Sequence, residues 1–333
     1  MREFRAGYAT ILGKPNAGKS TLLNAIVREK LAIVTAKPQT TRDRLSGIYN
    51  DDRCQIVFVD TPGVVDPKDR FNECLMREIH EALNGVDVVL HLIDVNDPDP
   101  LPPEMRETLA RVKAPVFLVV NKIDIARPRF GKSSSPALSN VEGSMASHAA
   151  RTKNDPQNDS FDWSRFEAIL QAAPHAERFA ISALQRTGVD ELIEAVIARL
   201  PEGQPFYDPD QLSDRDLRYL AAERVREKIF ELTHQEIPYG AATRTEEFRE
   251  EPGRKPYILV NVFVEHDSQK GILVGQGAAM IRKIGQEARR EIEELVGEPV
   301  FLELQVKVRK NWRKNDAVLR ELGYALPGKK SKR

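Results

Sequence analysis

A doubly wound α/β domain followed by a small α+β domain is the fold class that the sequence predicts. Two observations predict it. Five continuous β-rich apolar runs alternate with helix-like stretches as far as residue 200, and a periodicity-free, proline-bearing segment at 201–213 then separates them from a different order of elements. Continuous apolar runs are what a parallel sheet buried on both faces demands, and their alternation with helices argues a doubly wound sheet.

In order, the predicted strands of the first unit are YATILG (8–13), QIVFVD (55–60), VDVVLHLID (86–94), APVFLVVNK (114–122) and RFAIS (178–182). Helices are predicted at 20–29, 71–83, 103–111, 163–172 and 189–200, so the first domain spans 1–200. Residues 201–213 read as a linker. Residues 214–320 then read as helix (214–233), alternating strand (240–249), strand (257–265), glycine loop, helix (278–296) and strand (300–309), before a basic tail at 321–333. The segment 131–160 is rich in Ser, Asn, Ala and Pro and has little to bury, so it reads as a disordered surface insertion.

At 333 residues two domains are the natural prior. Fifty basic residues against 50 acidic ones predict no partner by net charge. The distribution is more telling: nine basic residues between Arg309 and Arg333 face only Asp316 and Glu321, a footprint suited to phosphate or an anionic membrane. Cys54 and Cys74 are too few for a disulfide framework and lack metal-ligand spacing, which suits a reducing cytoplasm. No apolar run approaches the roughly 18 residues of a membrane span, and MREFRAGY does not read as a secretory leader.

Gly13-Lys14-Pro15-Asn16-Ala17-Gly18-Lys19-Ser20 matches the phosphate-loop pattern between a strand and a helix. Backbone N–H groups there surround the β-phosphate, Lys19 reaches the β and γ oxygens, and the Ser20 hydroxyl holds Mg²⁺. Asp60-Thr61-Pro62-Gly63 ends the second strand, where a carboxylate can hold a Mg²⁺-bound water and the Gly63 N–H can meet the γ-phosphate. Asn121-Lys122-Ile123-Asp124 ends the fourth, and Asp124 offers two acceptors to the N1–H and amino group of guanine. Adenine lacks that donor pair, which argues against an ATPase or kinase. Ser182-Ala183-Leu184 stands ready to contact the base from its other side.

These residues resemble the translation-factor-type GTPases over about 5–200. The resemblance implies GTP/GDP and Mg²⁺ as cofactors, Lys19, Thr41, Asp60 and Gly63 as catalytic residues, and a first switch at 35–43 in which Thr41, or alternatively Thr40, closes on the metal. After Gly63, Val64 stands where Ras-like enzymes have a water-positioning glutamine, so slow intrinsic hydrolysis is expected. Asn16 resembles the asparagine that binds K⁺ in some relatives with the same replacement; it serves equally as a turn residue.

The second unit resembles a type II KH domain, whose G-x-x-G loop clamps single-stranded nucleic acid. The matching residues are Gly275, Gln276, Gly277 and Ala278, with Arg282 and Lys283 nearby. Alanine at 278 is costly if that position needs positive φ and free of cost if the helix has begun there. Together with QTTRD and LRELGY, these features resemble the Era family of bacterial GTPases. What that implies is a monomer in the cytoplasm that binds small-subunit ribosomal RNA near its 3′ end, acts on the 30S particle and touches the inner membrane surface. The alternatives are a KH-like domain that serves protein contacts only and a tail that is mainly a membrane anchor.

Overall fold

Six strands form the first sheet in the order β2-β3-β1-β4-β5-β6. The strands are β1 (Arg5–Gly13), β2 (Leu45–Asn50), β3 (Cys54–Asp60), β4 (Val88–Asp94), β5 (Val116–Asn121) and β6 (Glu177–Ala180). All pairings are parallel except β2 with β3. The computed structural model describes residues 3–35, 37–65, 67, 69–126, 161–172 and 175–326; the 131–160 insertion and the end of the basic tail lie outside them.

Helices α1 (Lys19–Val27), α2 (Arg70–Ala82), α3 (Pro103–Arg111), α4 (Glu167–Ala172) and α5 (Val189–Ile197) cover this sheet. On one face Leu22, Leu23, Ile26, Leu192 and Val196 pack on Ala9, Ile11 and Phe117. On the other, Ile79, Leu83, Met105 and Leu109 pack on Leu12, Val89 and Val116. All seven residues of β3 are buried, which is why its sequence runs apolar without alternation. Register sets Ile11 beside Asp60 and Asp94 beside Asn121, so the ends of four strands line one edge of the sheet, where open α/β folds place their ligands.

The edge strand β2 carries no clear sequence signal. LSGIYN has a glycine at its centre, and Gly47 is there because a Cβ would lie 2.6 Å from Leu23 Cδ1. Its hairpin to β3 is fixed by Asp51, whose carboxylate accepts from the N–H groups of Arg53 and Cys54.

Residues 201–213 run along the first sheet instead of standing free. The Ala6 and Gly203 N–H groups donate to Pro201 and Phe4 carbonyls, the Ile48 N–H donates to Leu212, and Gln55 accepts from Phe206 and Tyr207. The second unit is α6 (Leu217–Leu232), a single turn α7 (Ile237–Gly240), β7 (Ala242–Arg249), β8 (Tyr257–Val264), α8 (Asp267–Val274), α9 (Ala279–Val296), β9 (Phe301–Val308) and α10 (Asp316–Glu321). Its sheet runs β7-β8-β9, antiparallel then parallel, over a core of Val225, Ile229, Val260, Val262, Ile284 and Ala288. ILV at 272–274, apolar and β-branched, is the end of α8; the His266 cap and Gln269, with burial of Leu273, outweigh strand propensity there.

A further cluster joins the two units: Phe71, Cys74 and Leu75 of α2 pack against Ala242, Phe263, Trp312, Leu319 and Tyr324. Ion pairs flank it, Arg313 with Asp69 at 2.6 Å and Arg70 with Asp316 at 2.9 Å.

Candidate nucleotide and nucleic-acid sites

At the carboxyl edge of the first sheet lies a cleft of about 440 Å³, lined at one end by Gly18, Lys19, Ser20, Thr41 and Gly63 and at the other by Asn121, Asp124 and Leu184. Glycine makes the loop that floors it. Gly18 has φ +96°, and a Cβ there would stand 2.3 Å from Asn121 Nδ2. Asn16 is also left-handed at φ 64° and is exposed. Lys14 reaches outward to Asp97 at 3.3 Å, while Ala17 is packed into the core.

Lys19 folds back on the loop and donates to the carbonyls of Lys14 at 3.0 Å and Gly13 at 3.3 Å. Burial lowers its pKa to about 8, against the opposing pull of Asp60. A buried ammonium whose hydrogen bonds, among the described residues, go to carbonyls can exchange them for phosphate oxygens.

The Ser20 hydroxyl donates to Asp60 Oδ2 at 2.7 Å, Thr41 Oγ1 lies 2.9 Å from Ser20 Oγ, and Thr41 donates to the same Asp60 oxygen at 3.1 Å. Burial raises the Asp60 pKa, with Lys19 and the two hydroxyls opposing. Asp60 Oδ1 is buried without a partner among the described residues. Two hydroxyls and a carboxylate with an uncommitted oxygen form an all-oxygen donor set that fits Mg²⁺ and its waters.

The next residues secure the loop. Thr61 Oγ1 donates to the Ile11 carbonyl at 2.8 Å, which fastens Thr61-Pro62 to β1. Gly63 lies against Pro15, where a Cβ would be 2.8 Å from Pro15 Cα. Val64 gives its N–H to the Gly13 carbonyl, and its side chain turns into the apolar core.

At the base end Asn121 is a brace: its Nδ2 donates to Ala17 O at 3.0 Å and its Oδ1 accepts from the Ala183 N–H at 2.9 Å. Ser182 Oγ accepts from the Gln185 N–H. Lys122 pairs with Asp94 at 2.7 Å, and Asp124 Oδ1 is buried with no partner among the described residues. That orphan acceptor, beneath the exposed rim of Val34, Ile125 and Leu184, fits a planar base with paired donors.

In the second unit Gly275 leads out of α8 with φ 71°, and a Cβ there would meet Met280 at 2.9 Å. Gly277 and Ala278 are both left-handed, at φ 58° and 63°. The alanine precedes α9 and is not its first turn, so the costly alternative at 278 is the one realised. Arg282 donates to the Gly277 carbonyl, holding its charge beside the loop, whereas Lys283 lies 4.0 Å from Glu287. Between α9 and β9 runs a groove of about 310 Å³ lined by Ile281, Gly285, Leu302 and Leu304.

Spacing did not reveal that the first switch is tied to the second unit. Lys37 donates to the carbonyls of Phe230 and Thr233, Arg226 donates to Thr40 O, and Arg42 donates to three carbonyls around α7. QTTRD shows a basic residue beside the threonines; nothing in the string shows where it inserts.

A family model described as 50S ribosome-binding GTPase matches residues 8–122, and a KH domain model matches 236–313. GTPase Era of Geobacter metallireducens is 41% identical over 323 residues, spanning 96% of this chain and 98% of that protein. GTPase Era of Thermotoga maritima is 39% identical with 96% and 97% coverage. An Aquifex aeolicus Era variant bound to GDP and aluminium fluoride superposes with TM-score 0.81 at 33% identity, covering 97% of this chain and all of that one. Era in complex with MgGDPNP and nucleotides 1506–1542 of 16S ribosomal RNA superposes with TM-score 0.80 at the same identity and 97% coverage of this chain. Likeness of this extent takes in both units and the cleft between β1, β3 and β5, so the chain belongs to the Era family of GTPases and is an enzyme that hydrolyses GTP.

Proposed function

We propose that the chain is a GTP-gated switch that binds small-subunit ribosomal RNA near its 3′ end and acts in assembly of the 30S particle. One observation carries this reading: 97% of the chain superposes on an Era that is bound to nucleotides 1506–1542 of 16S ribosomal RNA. The Gly275–Ala278 loop, Arg282 and Lys283 supply a clamp for single-stranded phosphates, and the adjacent groove takes bases.

In the nucleotide cleft, the loop from Gly13 to Ser20 holds the phosphates and Lys19 neutralises the β and γ oxygens. Ser20 and Thr41 would hold Mg²⁺ with Asp60 beside them, and the ion would supply charge neutralisation at the transferring phosphoryl group. The Gly63 N–H donates to the γ-phosphate, Asp124 reads guanine, and Asn121, Ser182 and Ala183 keep the base site in shape. A buried Val64 leaves alignment of the attacking water to backbone groups, to another side chain or to an added cation such as K⁺, for which Asn16 would be a ligand, in keeping with slow intrinsic turnover. The charge excess after Arg309 supports a peripheral contact of a cytoplasmic monomer with the anionic inner membrane, for which liposome sedimentation without RNA is the check.

Crosslinking of the full chain to 30S particles with GDPNP or GDP tests the switch. Crosslinks concentrated at the 3′ end of the small-subunit RNA and dependent on nucleotide are the expected result. Scattered or nucleotide-indifferent crosslinks would refute it.

A further inference from the structure

Arg42 follows Thr41 directly, yet its side chain leaves the first unit. It is 4% exposed and donates to the carbonyls of Ala241 at 2.6 Å and of Pro238 and Tyr239 at 3.1 Å. These are carbonyls that the single turn α7 cannot satisfy within itself, and a guanidinium fork is the side chain shaped to bind several at once. Its charge lies 5.4 Å from the Phe71 ring and 6.0 Å from the Trp312 ring. Trp312 in turn donates its indole N–H to Gly240 O at 2.9 Å, which holds α7 in place.

A buried arginine with three carbonyl partners cannot rotate without losing them, so the residue before it is held in a fixed orientation. That residue presents its hydroxyl to Ser20 and Asp60. We propose that Arg42 is a positioning residue for GTP hydrolysis: anchored on α7 of the second unit, it sets Thr41 in its metal-facing orientation, and Trp312 completes the anchor. The hydrolytic site is thereby finished by the domain that does not bind nucleotide. This rests on the role proposed above for Thr41.

Single-turnover GTP hydrolysis and GDP affinity are measured on the full chain for Thr41→Ala, Arg42→Ala, Arg42→Lys, Trp312→Phe and the Arg42→Ala/Trp312→Phe double variant. Misplacement of a reacting constellation by about 1 Å costs up to ~100-fold. Arg42→Ala is therefore expected to slow the chemical step about 10- to 100-fold with GDP affinity kept within about threefold, and Arg42→Lys to recover part of the rate. Trp312→Phe, which keeps a ring and loses only the N–H donor, is expected to slow hydrolysis in the same direction, and the double variant to be no slower than Arg42→Ala alone. If Arg42→Ala does not fold, Arg42→Lys and Trp312→Phe carry the test. A defect in Thr41→Ala with wild-type rates in the Arg42 and Trp312 variants would overturn the positioning role and leave the Thr41 reading standing. A silent Thr41→Ala would overturn both. Multiplicative rate effects in the double variant would also defeat the proposal, because they would mean two independent contributions.

Discussion

Val64 donates its backbone N–H to the Gly13 carbonyl at 3.2 Å while its side chain sits among Leu12, Ile79 and Leu83. The position that carries a catalytic amide in Ras-like enzymes here belongs to the core. Val64→Gln is therefore expected to destabilise the protein by about 1–3 kcal/mol, the cost of a buried amide without partners, and to bring no gain in hydrolysis. Thermal denaturation beside single-turnover kinetics checks both parts. An accelerated variant of unchanged stability would show that the side chain can turn toward the phosphates.

The proposed reader of the base is Asp124, whose Oδ1 is buried and unpartnered among the described residues. Asp124→Asn replaces two acceptors with one acceptor and one donor. GTP affinity is expected to fall by roughly 3 kcal/mol, about 100-fold, and xanthosine triphosphate to be preferred. Competition between the two nucleotides for the protein reads this directly.

Lys19 titrates near 8 in the nucleotide-free protein because burial disfavours its charge. Phosphate binding favours the protonated form and raises that pKa, so binding takes up protons wherever the free amine is populated. GDP affinity should accordingly be flat below about pH 7 and decline as pH rises through 8. Calorimetry at pH 8 in buffers of different ionisation enthalpy is expected to show an uptake of about half a proton, shrinking toward zero at pH 6.5.

Ala278 at φ 63° bears a left-handed strain of about 1–2 kcal/mol. Glycine relieves it but adds roughly 0.4–1 kcal/mol of unfolded-chain entropy, so Ala278→Gly should stabilise the second unit by about 0.5 kcal/mol. Urea unfolding followed by Trp312 emission in a Trp163→Phe background measures it. Removing the Cβ from the loop is also expected to tighten RNA binding severalfold, read by filter binding at fixed salt.

The nucleotide cleft was legible because its chemistry is local. Gly13 to Ser20, Asp60 to Gly63 and Asn121 to Asp124 each end a strand, and apolar runs announce those strands. β2 is not legible because Gly47 breaks its pattern for the sake of Leu23 on the overlying helix α1, a reason that exists only in the folded chain. The 201–213 segment looks like a linker since it has no periodicity, yet its order comes from hydrogen bonds to β1 and β2 that lack any sequence period. The conformation of Ala278 was an open alternative because one residue decides between helix and αL only through its neighbours Gly275 and Gly277. Nothing around Arg42 in QTTRD marks it as buried; its burial depends on a pocket assembled from residues roughly two hundred positions later.

The lacing of residues 201–213 onto the first sheet leaves little free chain between the halves. Ser46 binds Asp214, Arg215 reaches the Arg44 carbonyl, and α6 begins at Leu217 behind its Asp216 cap. With so short a tether, the second unit is kept at high effective concentration next to the first switch. Docking is then an intramolecular event, so the hydrogen bonds at Lys37, Thr40 and Arg42 form without the entropic cost of bringing two molecules together.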